Sequence, residues 1–146
     1  MRKPTVYLAH NYAAREWLRR VVVPFFVAEG VDVTSAWVIG EVQKHDSSEA
    51  KASMLDIDRS GSVLFFASNY GETPGRGKYI EVGYALHAGK QVIVVDCPDP
   101  KDGDCVFFHL PGVVRVSTYK EALELIRERA KNRIIGGGMF NCDLER

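Results

Sequence analysis

Glu81 is the side chain whose surroundings in this sequence best suit chemistry. It lies in GRGKYIEVGYALHAGK (75–90), where a Gly-Arg-Gly-Lys turn opens a segment that reads as a buried helix over about 78–89. Ile80, Val82, Tyr84 and Leu86 are expected on the packed side of that helix. A carboxylate in a helix's first turn interacts favourably with the dipole and stays ionised, which suits a nucleophile better than a general acid. The bland alternative is an exposed acid that only complements the dipole. Apolar neighbours at 80 and 82 favour a functional role, as does Gly83, which lets backbone or ligand approach closely.

Other polar residues group around this one. Arg76 and Lys78 are either a solvated loop or, joined by Arg15, a clamp for a phosphate or carboxylate. GRGK is nevertheless no standard phosphate loop. A Walker A loop needs glycine where Glu72 stands and Ser or Thr where Tyr79 stands, and Ile80 replaces the third glycine of GxGxxG. A receiver domain is excluded too, because the third apolar run ends in Ala-Ser-Asn rather than an aspartate. Tyr7 is either core packing or a site hydroxyl, and its alternation with Leu8 leaves both open. Asp56 and Asp58, in MLDIDRSGS, are capping or site acids, while Trp37 and Tyr70 offer faces for a base, Trp37 equally suiting the core. His45, His87 and His109 are scattered, and Cys97, Cys105 and Cys142 are odd in number with no CxxC. Neither a metal site nor a disulfide framework is expected.

The elements that must position these residues alternate between buried strands and helices. TVYLA (5–9) and SVLFFAS (62–68) read as strands, as do VDVTSAW (31–37), QVIVVD (91–96) and a more polar edge strand, VVRVS (113–117). Asn11 is placed to cap a helix over about 12–28, which Pro24 should kink or end. A second helix is expected over 48–59, and Thr118 with Glu121 reads as a capping box for the last one. The pattern predicts a flavodoxin-like, doubly wound, five-stranded parallel sheet of order 2-1-3-4-5 in a three-layer α/β/α architecture. Ligand then binds at the carboxyl ends of strands 1 and 3, where the loops from His10 and Asn69 begin. Residues 1–131 form the domain, and NRIIGGGMFNCDLER (132–146) reads as a C-terminal arm.

Composition narrows the partners. Nineteen basic residues balance nineteen acidic ones, so no global field for a nucleic-acid polymer exists, and a bound anion should be small. No signal-peptide-like or membrane-spanning apolar run is present, so a cytoplasmic protein is expected, without membrane attachment.

VYLAHNY, SVLFFAS and above all GRGKYIEVGYALHAGKQVIVV resemble the nucleoside 2-deoxyribosyltransferase family and the related deoxynucleoside 5′-monophosphate N-glycosidases. VTSAWVIGE and VFFHLPGVVRVSTYKEAL look like the small variant common in bacteriophage genomes, and the resemblance spans roughly residues 4 to 128. It implies Glu81 as the nucleophile that attacks C1′ of a deoxyribose, Tyr7 as the residue orienting it, and Asp56 as the contact to the leaving base. The crevice read from the sheet order adds an expected substrate-binding set of His10, Asn11, Arg15 and Asn69, with Gly75, Arg76, Gly77 and Lys78 from the loop. Gly75 falls near the place where the transferases often have an aspartate, which tilts the expectation toward a nucleotide. The implied activity is cofactor-free cleavage or transfer at the N-glycosidic bond of a 2′-deoxynucleoside or its 5′-monophosphate. A non-catalytic nucleotide-binding module and an NAD glycohydrolase are the alternatives. A homo-oligomer is implied as well, located in the host cytoplasm if phage-encoded.

Overall fold

The structure is a computed structural model that describes residues 2–40, 46–68, 75–95 and 105–132. Asn69, Tyr70, His45, Asp96 and the arm over 133–146 lie outside the described residues. Five short runs form the sheet: β1 (Thr5–Ala9), β2 (Asp32–Val33), β3 (Ser62–Phe66), β4 (Gln91–Val95) and β5 (Val113–Val116). All neighbours pair in parallel, in the order β2-β1-β3-β4-β5, as the alternation of strands and helices predicts. The helices are α1 (12–28), α2 (Ala36–Ile39), α3 (Ser47–Arg59), α4 (Arg76–His87) and α5 (Ala122–Asn132). Among the described residues no helix is long and apolar enough to cross a membrane.

The two-residue period of the strands sorts the core into two layers. Val6 and Leu8 of β1, Leu64 and Phe66 of β3, and Ile93 and Val95 of β4 pack with Leu18, Val22 and Phe26 of α1 and Ile126 of α5. Tyr7, Val63, Phe65, Val92 and Val94 face the other way and meet Ile57 of α3 and Val82, Ala85 and Leu86 of α4. The register pairs Tyr7 with Val63 and Leu8 with Leu64, so Tyr7 necessarily lies on the α3/α4 side.

Three local expectations are corrected. The second strand does not extend over 31–37. Thr34 N–H still bonds Val6 C=O, but Leu8 N–H is then taken by the Ser35 hydroxyl at 2.6 Å, and the chain turns into α2. Trp37 therefore sits on a short helix and donates its indole N–H to Leu8 C=O at 2.9 Å. The two expected side-chain caps are not made. Asn11 forms no cap bond at the start of α1, and Thr118 forms none either, although the Glu121 carboxylate accepts from Ser117 N–H at 3.0 Å. Finally, α4 begins at Arg76 and buries Lys78, Val82, Ala85 and Leu86, while Ile80 is 74% exposed. A helix repeats every 3.6 residues, so the alternate positions 80, 82, 84 and 86 cannot share one face.

Pro24 neither ends nor breaks α1. The preceding turn, Leu18–Val22, is wound wider, and Val23 N–H bonds Leu18 C=O five residues back. A widened turn of this kind is a common way to insert a proline, which has no N–H for the carbonyl four residues earlier.

Candidate active site

Tyr7 and Glu81 meet although 74 positions separate them. Tyr7 is 0% exposed, and its hydroxyl donates to Glu81 Oε2. The meeting follows from two periods: the strand turns Tyr7 toward α4, and the helix places 81 between Lys78 and Ala85 on its inward stripe. The pair thus stands on the α3/α4 side of the sheet, two residues before the end of β1.

Burial pushes the Glu81 carboxyl up to about 8. This corrects the expectation of a permanently ionised acid. Because α4 starts at Arg76, Glu81 is in the second turn, where the dipole's effect has faded, and desolvation of the charged form dominates. At neutral pH the resting site holds a protonated carboxyl against the Tyr7 hydroxyl.

The two cations before Glu81 part company. Arg76 is exposed, as is Gly77. Lys78 is only 1% exposed, and its ammonium donates to Phe66 C=O at 2.8 Å and Ser68 C=O at 3.4 Å. Burial pulls it down to about 8. Gly75 precedes the helix with φ +63°, and a Cβ there would collide with the Asn11 side chain and lie 3.1 Å from Lys78 Cε. Both the left-handed backbone and the close approach require glycine at this position.

His10 continues the alternation of β1 and therefore lies on the opposite side of the sheet from Tyr7. Its ring stacks on Phe66 at 4.8 Å and meets Trp17 edge-on at 6.2 Å, while Nδ1 accepts from Asn11 N–H at 2.7 Å. Burial first, and the nearby Lys78 charge second, lower its pKa to about 4, so the ring is neutral at physiological pH. Arg15 donates to Trp37 C=O at 2.8 Å and to Gly40 C=O, which commits its guanidinium to holding α2.

Asp56 is buried, and its Oδ2 accepts from Ala36 N–H, at the start of α2, at 2.9 Å. Burial raises its pKa, against the opposing pull of that bond and of Arg59, whose Nη1 is 3.8 Å from Oδ1. Asp58 is exposed and accepts from the Tyr84 hydroxyl at 2.6 Å, tying α4 to α3. Tyr12, just past β1, is exposed, with its ring 6.4 Å from that of Trp37.

A cavity of about 310 Å³ lies between α4 and the 105–108 segment, walled by Tyr79, Val82, Gly83, Leu86 and His87 and by Cys105, Phe107 and Phe108. Among the described residues no carboxylate lines it, and neither Tyr7 nor Glu81 is part of its wall. Among the described residues no cluster of His, Cys, Asp or Glu is arranged to hold a metal ion.

No protein-family model and no curated protein sequence matches the chain. Solved structures match its fold. The chain is similar to the Clostridium botulinum CMP N-glycosidase BcmB at 20% identity, over 85% of this chain and 96% of that one, with a TM-score of 0.53. It is also similar to the solution structure of BlsM at 15% identity, over 94% of this chain and 97% of that one, with a TM-score of 0.59. At these identities the likeness is one of fold.

Proposed function

We propose that this protein breaks the N-glycosidic bond of a 2′-deoxynucleoside or its 5′-monophosphate, with Glu81 as nucleophile. The observation that carries the reading is the buried Tyr7 hydroxyl bonded to the Glu81 carboxyl at the carboxyl-end side of a switch-point sheet. A CMP N-glycosidase of similar fold supports it. In this reading Glu81 loses its proton, and one of its oxygens bonds C1′ as the C1′–N bond breaks. The bonding pair leaves on the base nitrogen, which takes up a proton. Water then attacks C1′, restoring the carboxylate and releasing the sugar, or a second base takes water's place and the reaction is a transfer. Asp56 serves the leaving base through Oδ1, the oxygen that Ala36 does not occupy. Among the described residues Arg76, exposed at the start of α4, is the cation of this turn left to meet a 5′-phosphate, since Arg15 and Lys78 are bonded to carbonyls.

Tyr7→Phe tests the pair. The hydroxyl bond stabilises the carboxylate, and hydrogen bonds to charged groups contribute about 1.5–3 kcal/mol, so kcat for base release should fall about 10- to 100-fold. Chromatographic assay of free base from deoxynucleotides measures it, and an unchanged kcat removes Tyr7 from the mechanism.

One observation favours a second reading, a nucleotide-binding module without chemistry: a carboxyl protonated at neutral pH is a poor nucleophile. Ligand binding without base release at any pH up to 9 identifies that case.

A further inference from the structure

Lysine is rarely buried without a carboxylate, yet among the described residues the hydrogen-bond partners of Lys78 are neutral backbone carbonyls. Those carbonyls belong to the last residue of β3, Phe66, and to Ser68 just beyond it. The ammonium also stands 5.2 Å from the centre of the Phe65 ring and 5.7 Å from that of Tyr79, both favourable faces for a cation. Its stem passes Gly75, whose missing Cβ leaves it room. Three residues on, on the same inward stripe of α4, is Glu81. One side chain thus joins the first turn of the helix that carries the proposed nucleophile to the end of the strand beside β1, which carries its tyrosine.

We infer that Lys78 is a positioning residue: its ammonium, anchored on the Phe66 and Ser68 carbonyls, fixes the start of α4 so that Glu81 meets Tyr7. The inference deepens the reading of Glu81 and Tyr7 as the reacting pair and rests on it for its kinetic consequence. Its structural consequence is independent of any activity. An anchored first turn keeps water from Glu81, and a released one admits it.

Lys78→Met separates these roles, because methionine keeps most of the stem and loses the charge. Glutamate side-chain carbons labelled with ¹³C are titrated by NMR, with the Glu81 signal assigned by its loss in Glu81→Gln. In the natural protein Glu81 should titrate near 8. In Lys78→Met it should move toward the ordinary carboxyl range, with circular dichroism unchanged. Base release should lose about 10- to 100-fold in kcat, the cost of a misplacement near 1 Å, while KM shifts less than threefold. Lys78→Arg, which restores a cation as a bulkier guanidinium, should recover part of both losses.

An unaltered Glu81 titration in a folded Lys78→Met protein overturns the inference whether or not the protein releases base. A KM that rises only for 5′-phosphorylated substrates, with kcat kept, overturns it in favour of a phosphate ligand. If Lys78→Met does not fold, Lys78→Gln, which retains a donor, carries the same two readouts. The absence of base release from the natural protein, with the NMR shift present, would remove the proposed reaction and leave the positioning role standing.

Discussion

Glu81→Gln is expected to lower base release by at least about 1,000-fold, the scale on which removal of a covalent nucleophile acts. The amide matches the carboxyl in shape and can still accept from the Tyr7 hydroxyl, but it cannot bond C1′ and be displaced again. Loss of activity must be separated from loss of fold, and the raised Glu81 pKa supplies the means. Between about 4.5 and about 8 the folded protein keeps a proton on Glu81 that the unfolded chain releases. The folded state then binds more protons, so this group makes stability fall as pH rises through that window. Glutamine carries no such effect.

Thermal unfolding of the two proteins should therefore diverge in favour of Glu81→Gln from pH 5 to pH 8. His10, lowered to about 4, destabilises both proteins as pH falls below about 6.5, and so cancels in the difference. A variant that loses ground to the natural protein between pH 5 and 8 would show that Glu81 is not buried as described. The expected outcome is an inactive protein that is the more stable of the two at pH 8.

The second large effect is on pH. If the ionised carboxylate is the nucleophile, kcat/KM should climb about tenfold per unit as pH rises toward about 8, then level off, because this ratio reports the free enzyme's pKa. Between pH 6 and 8 the gain should be about 50-fold. A 5′-phosphate titrates with a second pKa near 6, so the part of the rise above pH 7 belongs to the protein. A general acid at position 81 would give the opposite slope, with activity falling through 8. Tyr7→Phe should move the rise to higher pH, since the lost hydroxyl favoured the charged form. A flat profile from pH 6 to 9 would mean that Glu81 does not titrate in the rate-determining species.

The sheet was readable because parallel central strands are apolar at nearly every position and are separated by helix-length segments. β1 falls on the predicted residues 5–9, and the order of all five strands follows from the alternation. The site was legible in part. Glu81 stood out as an acid among apolar neighbours, but one of them, Ile80, proves exposed, and the true setting is a stripe of 78, 82, 85 and 86. The helical period could have shown that stripe, whereas the left-handed Gly75 that moves the helix start to Arg76 is a three-dimensional matter. That shift takes Glu81 out of the first turn and reverses its expected charge state. Lys78 was illegible for a different reason. A lysine in Gly-Arg-Gly-Lys reads as a solvated cation or as part of an anion clamp, and only the fold brings two strand-end carbonyls to it. The brevity of β2 depends likewise on the Ser35 hydroxyl replacing a backbone partner, which periodicity does not encode.

The most direct test of the account is release of free base, measured chromatographically at pH 8.5. A panel of 2′-deoxynucleosides, their 5′-monophosphates, CMP and NAD is incubated with the natural protein and with Glu81→Gln in parallel. The account predicts free base from at least one deoxynucleoside or deoxynucleotide with the natural protein and none above background with Glu81→Gln. No base from any deoxy substrate, or equal base from both proteins, would contradict it.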